Sequence, residues 1–131
     1  MKLQERIERS RELHAKGYNC AQCVVMAFDD VVGADALTVA RQAAAFGAGF
    51  GSREHLCGAA SGMGMVLGLT EFKSPEDKKM IYDRVQILTN KFGAINSALT
   101  CRELLALRTK PCMGLIEDAI TILDQEIGNK R

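Results

Sequence analysis

Apolar residues recur along this chain at helical rather than strand spacing. Leu3, Ile7 and Leu13 stand among Glu, Arg and Lys over residues 2–16, and Gly17 follows where a helix would place its C′ residue. Asn19 is a good N-cap for a second helix over residues 20–32, whose apolar positions cover much of its circumference and predict a central, buried placement. Gly33 ends it, and Asp35 or Thr38 caps a third helix over residues 36–46. A glycine-rich turn leads into a fourth helix over residues 57–69. Ser74-Pro75-Glu76-Asp77 then starts a fifth, with Ser at the cap, Pro at the first helical position and acidic residues at the positive end of the dipole. In that helix Met80, Ile81, Val85, Leu88 and Phe92 recur until Gly93. A short sixth helix covers residues 100–107, and Pro111 opens a last one carrying Leu115, Ile116, Ala119, Ile120, Leu123 and Ile127, with Gly128 behind it.

No run alternates apolar and polar residues over the length of a strand, and β-branched residues are scattered. The pattern predicts an all-α fold: one domain over residues 1–131, built as a compact orthogonal or bundle-like packing of about six or seven helices. A chain of 131 residues can bury roughly two-thirds of its unfolded surface and needs no disulfide staples.

Charge changes this picture little. A formal net charge of +1 gives no electrostatic reason to expect nucleic acid or an acidic membrane surface as partner. The N-terminal MKLQERIERSRELHAK alternates charges and lacks the apolar core of a signal peptide, which predicts a cytoplasmic protein. Residues 56–70, free of charge and of His, are too few and too glycine-rich to span a bilayer, so no membrane insertion is expected. Charged residues on the first and fifth helices read as solvated faces.

Glycine and cysteine change it more. Seven of the 12 glycines lie within residues 47–69, although each costs roughly 0.5–1 kcal/mol relative to Ala inside an element. Gly58 and Gly62 are four apart, as are Ala60, Gly64 and Gly68, so two faces of the fourth helix are stripped of bulk. Neighbouring backbones within the chain, or a second copy of it in a homodimer, could pack closely there.

Five cysteines cannot all pair in disulfides, and in a reducing compartment such a set points to redox chemistry or metal binding. Each lies at or near a predicted helix start. Cys20 and Cys23 occupy the first turn after Asn19, Cys57 ends the glycine-rich turn, Cys101 begins CRELLAL, and Cys112 follows Pro111. Unpaired N–H groups and the helix dipole stabilise a thiolate at such positions, and a thiolate is the form that attacks disulfides and binds soft metals.

Cys20 and Cys23 form a C-A-Q-C pair on one helix face, the spacing of a reversible dithiol, although the βαβ setting of thioredoxin-like proteins is missing. Val24 follows Cys23 where covalent c-type haem attachment requires His. The scatter over positions 20, 23, 57, 101 and 112 fits no compact ferredoxin spacing, yet four of the five could still ligate zinc or an iron–sulfur cluster. His55, two residues before Cys57, reads as a surface residue, and His14 carries a weaker signal still. The methionines read as core fillers, and the glycine run at 47–52 lacks the spacing of a phosphate loop.

Cys57-Gly58-Ala59-Ala60-Ser61-Gly62, together with GYNCAQ at 17–22 and Cys101-Arg102-Glu103-Leu104-Leu105, resembles a family of small redox-active proteins named for a cysteine pattern with a C-G-A-x-x-G motif (C_GCAxxG_C_C). The resemblance covers roughly residues 10–125 and implies four family cysteines: Cys20, Cys57, Cys101 and Cys112. Cys23 is an addition to that set.

The combined expectation is a cytoplasmic helical protein whose cysteines gather around Cys57 for thiol–disulfide or electron-transfer work with a redox partner. Cys57 would be the attacking or central thiol, Cys20 its first partner, and Cys101 with Cys112 would form a second pair or resolve the first. The alternative is a metal or iron–sulfur module using the same cysteines as ligands.

Overall fold

Gly17, at φ +100°, closes the first helix, α1 (Leu3–Ala15), where its place in the sequence predicts. The structure, a computed structural model, describes residues 1–130. Asn19 then caps α2 (Cys20–Met26) in both directions: its side chain accepts from the Gln22 N–H at 2.9 Å, and the Gln22 side chain accepts from the Asn19 N–H at 3.0 Å.

The second helix is shorter than its apolar pattern predicts. It breaks at Ala27 and Phe28 and resumes as α3 (Asp29–Val32), which makes eight α-helices among the described residues rather than six or seven. Arginines from α1 account for the break. Arg6 Nη1 donates to the Ala27 carbonyl at 2.9 Å and Arg9 Nε to the Met26 carbonyl at 3.0 Å, so these carbonyls find partners outside the helix ladder. Arg6 is 1% exposed and also binds Asp30 and Asp124, with its guanidinium 4.1 Å from the centre of the Phe28 ring. The charges of α1 are therefore not all a solvated face.

Asp35, rather than Thr38, caps α4 (Ala36–Ala43), accepting from the Thr38 N–H at 3.0 Å. A 3-10 turn, Ala44–Phe46, and a wide turn, Gly49–Arg53, carry the chain to α5 (Gly58–Glu71). Beyond a 3-10 turn at Pro75–Asp77 comes α6 (Lys78–Asn96), which runs past Gly93 and stops where Ser97 turns left-handed at φ +67°. Its Arg84 is also half-buried and pairs with Glu71 and Glu126. Thr100 caps α7 (Cys101–Leu107), and α8 (Cys112–Lys130) continues through Gly128.

One apolar core joins these helices, with Val24, Val25 and Phe28 from the centre, Met63, Val66 and Leu67 from α5, and Ile116, Ile120 and Leu123 from α8. The glycine spacing explains how α2 and α5 reach each other. A Cβ added at Gly62 would lie 2.8 Å from Val24 Cβ and 3.2 Å from the Ala21 carbonyl, whereas one at Gly64 or Gly68 would meet open space. The Gly58–Gly62 face thus packs within the chain.

Gly62→Ala should therefore lower stability by about 1–3 kcal/mol, the usual range for forcing a methyl into a packed core. Gly64→Ala, with room for its methyl, should be neutral or stabilise by roughly 0.5–1 kcal/mol. Urea unfolding midpoints of the two variants against the parent check both signs; equal effects would refute the packing account.

Candidate functional site

Four of the five cysteines are carried to one place by four different elements. Cys20 opens α2, Cys57 caps α5, Cys101 opens α7 and Cys112 opens α8. Their side chains line a small apolar cavity of about 40 Å³ together with Leu104 and Leu115, a space for little more than a water-sized guest.

Three local devices make the convergence. The first is the α2–α5 crossing, where a Cβ on Gly58 would fall 2.3 Å from Cys20 Sγ, so the sulfur occupies the volume that any other residue would fill. The second is a short antiparallel bridge between residues 55–57 and 99–101. The Cys57 N–H donates to the Leu99 carbonyl at 2.8 Å and the Cys101 N–H to the His55 carbonyl at 2.7 Å, which seats two cysteines side by side. The third is Gly49, at φ +57°, where a Cβ would lie 2.5 Å from Cys101 Cβ. Its glycine lets the wide turn close over the start of α7.

Cys23 is not brought to this cavity. It points into the core at 0% exposure, and its sulfur donates to the Tyr18 carbonyl at 3.5 Å. Three residues of helix carry Cys20 to the rim and Cys23 inward, so C-A-Q-C spacing does not make a shared dithiol face here.

The thiols differ in environment. Burial pushes the Cys57 thiol up to about 11, although the N–H groups of Ala59 and Ala60 and the start of α5 pull the other way. Burial raises Cys23 further, to about 12, with Cys20 beside it adding to the shift. Cys101 is also raised by burial, then by Cys112 and Cys20, with Arg53 opposing. The expected lowering at a helix start is thus outweighed at Cys57, where desolvation of the thiolate costs more than two N–H groups return. Exposure rises from buried Cys57 through half-buried Cys20 and Cys101 to exposed Cys112.

Above the cavity lies an open groove of about 420 Å³ lined by Cys20, Cys101 and Cys112 together with His14, Asn19 and Arg53. Neither His14 nor Arg53 stands out in the sequence as part of a site. His14 sits on the first helix, far from the cysteines in sequence, and only the fold brings it there. Arg53 carries a faint signal, since it belongs to the same glycine-rich turn as Cys57 and adopts φ +63°, a left-handed conformation shared with Ala48 and Phe50 in that turn. His55 is exposed and contributes its backbone instead of its ring.

All five cysteines are free, and no group of three or more His, Cys, Asp or Glu side chains among the described residues is arranged to hold a metal ion. No helix among the described residues is long and apolar enough to cross a membrane.

No curated protein and no solved structure matches the chain. A family model does, over residues 18–126, a span that contains all five cysteines. The family's printed pattern reads Gly-Cys-Ala-x-x-Gly, and this chain carries Cys57-Gly58-Ala59 with the last glycine at Gly62. Because the match covers most of the sequence and the four cysteines that share the cavity, the chain belongs to the family described as putative redox-active protein (C_GCAxxG_C_C).

Proposed function

We propose that the protein carries out thiol–disulfide exchange through Cys20, Cys57, Cys101 and Cys112. The observation that carries this reading is their convergence, from four separate elements, on one small cavity. Cysteines buried merely as small hydrophobes have no reason to converge.

Cys112 is the entering thiol, because it alone of the four is exposed and an attacking sulfur must reach its target. Its deprotonated sulfur attacks a partner disulfide, one partner sulfur leaves as a thiol, and a mixed disulfide forms. Cys101 then attacks Cys112 Sγ, the second partner sulfur leaves, and a Cys101–Cys112 disulfide remains. Two electrons pass from the protein thiols to the partner, and two protons are released and taken up in balance. Cys20 and Cys57 form the inner pair, to which the disulfide can migrate by the same exchange. At neutral pH the raised Cys57 thiol stays protonated, so it enters last: its sulfur must lose its proton as it attacks Cys20 Sγ and the preceding sulfur leaves as a thiol. In a reducing compartment all four thiols return to the dithiol state between turnovers.

Three measurements bear on this. Under native conditions a thiol reagent should label Cys112 first and leave Cys23 and Cys57 protected until unfolding; prior labelling of Cys57 would contradict the order of exposure.

Stability should fall as pH rises above 9.0, the ordinary thiol value, toward about 11 and 12, the folded values of Cys57 and Cys23. In that window the unfolded chain releases protons that the folded chain retains, so alkali favours unfolding. Cys23→Ala should flatten the decline in a series of urea titrations.

Mild oxidation of anaerobically purified protein should yield Cys101–Cys112 and Cys20–Cys57 disulfides on peptide mapping, with Cys23 still free. Absence of any intramolecular disulfide, or a stoichiometric metal lost on Cys57→Ser, would overturn the assignment in favour of a metal or iron–sulfur module.

A further inference from the structure

The groove over the thiols has a charge character that the redox reading does not require. Arg53 and His14 border it beside Cys20, Cys101 and Cys112, and Asn19 adds a polar edge. None of the residues lining it is a carboxylate, and Glu54, next to Arg53 in the chain, pairs instead with Arg102 at 3.4 Å. Arg53 has no salt bridge among the described residues, and its charge is felt at Cys101.

Its backbone is held at φ +63°, where a residue with a Cβ is disfavoured by roughly 1–2 kcal/mol. Two further non-glycine residues of the same turn, Ala48 and Phe50, share that conformation, and Ala48 lines both the groove and the cavity. A turn kept in this shape presents an unpaired guanidinium at the mouth of a thiol site.

We propose that the groove seats a low-molecular-weight disulfide bearing a carboxylate, with the carboxylate at Arg53 and His14 and the disulfide facing Cys112. The proposal rests on the thiol–disulfide reading of the same site and names its substrate class. A volume of about 420 Å³ suits a small molecule, whereas a folded protein substrate would need a flat or convex docking face. The exchange is balanced as above: Cys112 Sγ bonds to one substrate sulfur, the substrate S–S bond breaks, and the departing thiolate takes up a proton. Cys101 then releases the second half of the substrate as a thiol. The substrate disulfide is reduced to two thiols while the protein gains one disulfide.

The test compares two disulfides on reduced full-length Cys101→Ser protein, where the reaction stops at the Cys112 mixed disulfide and mass spectrometry reads its rate of formation. Glutathione disulfide is net anionic, and bis(2-hydroxyethyl) disulfide is neutral. Adding Arg53→Gln, at an exposed position, should slow the anionic probe about two- to fivefold more than the neutral one, the range for an exposed ion pair. Raising the salt concentration should shrink that difference. Equal slowing of both probes, or none, would overturn the substrate class while leaving thiol exchange intact. Failure of both disulfides to react at Cys112 would remove the redox reading and the substrate with it.

Discussion

Everything distinctive about this fold depends on the close crossing of α2 and α5. Two helices with ordinary side chains pack with axes about 8–10 Å apart, and a cysteine on one would be screened from the backbone of the other. Here Gly58 and Gly62 remove the side chains at the contact. Ala21 and Val24 fill the space at Gly62, and the Cys20 sulfur fills it at Gly58. The same glycine that permits packing therefore puts one thiol against the residue that follows another. Stability and the site are coupled at this crossing, since no residue larger than glycine at position 58 leaves Cys20 where it is.

The helix-start placement of the cysteines does not give all of them the same chemistry. At Cys57 the backbone N–H groups of Ala59 and Ala60 favour the thiolate, but burial is the larger effect and the thiol is held protonated. At the outer end Cys112 has solvent beside it. The result is an ordered row: an accessible sulfur, two half-buried ones and a buried one, all bordering a space of water size. Such a row has a direction. Solvent access falls from Cys112 inward to Cys57.

Much of the fold was legible because its signals are local. Asn19 and Asp35 are caps that act within three residues, Pro111 marks the start of α8, and the glycine spacing of α5 shows directly in the sequence. What sequence could not show is non-local. The break after Met26 needs two arginines from α1, and the pairing of Cys57 with Cys101 needs a backbone bridge between segments more than 40 residues apart. Neither has a compositional signature. His14 and Arg53 were missed for the same reason: a lone His on an amphipathic helix and an Arg in a glycine-rich turn acquire a role only when the helix starts gather beside them.

Cys23 shows most clearly why spacing alone misleads. Three residues of helix turn the chain by about 300°, which leaves two side chains on neighbouring faces but not necessarily on the same side of a packed interface. The rim of the core runs between Cys20 and Cys23. One sulfur lines the cavity, while the other is sealed among apolar residues and bonded to the Tyr18 carbonyl. The sulfurs therefore gather between elements, through the α2–α5 crossing and the 55–57/99–101 bridge, rather than within the one sequence motif that advertises a pair.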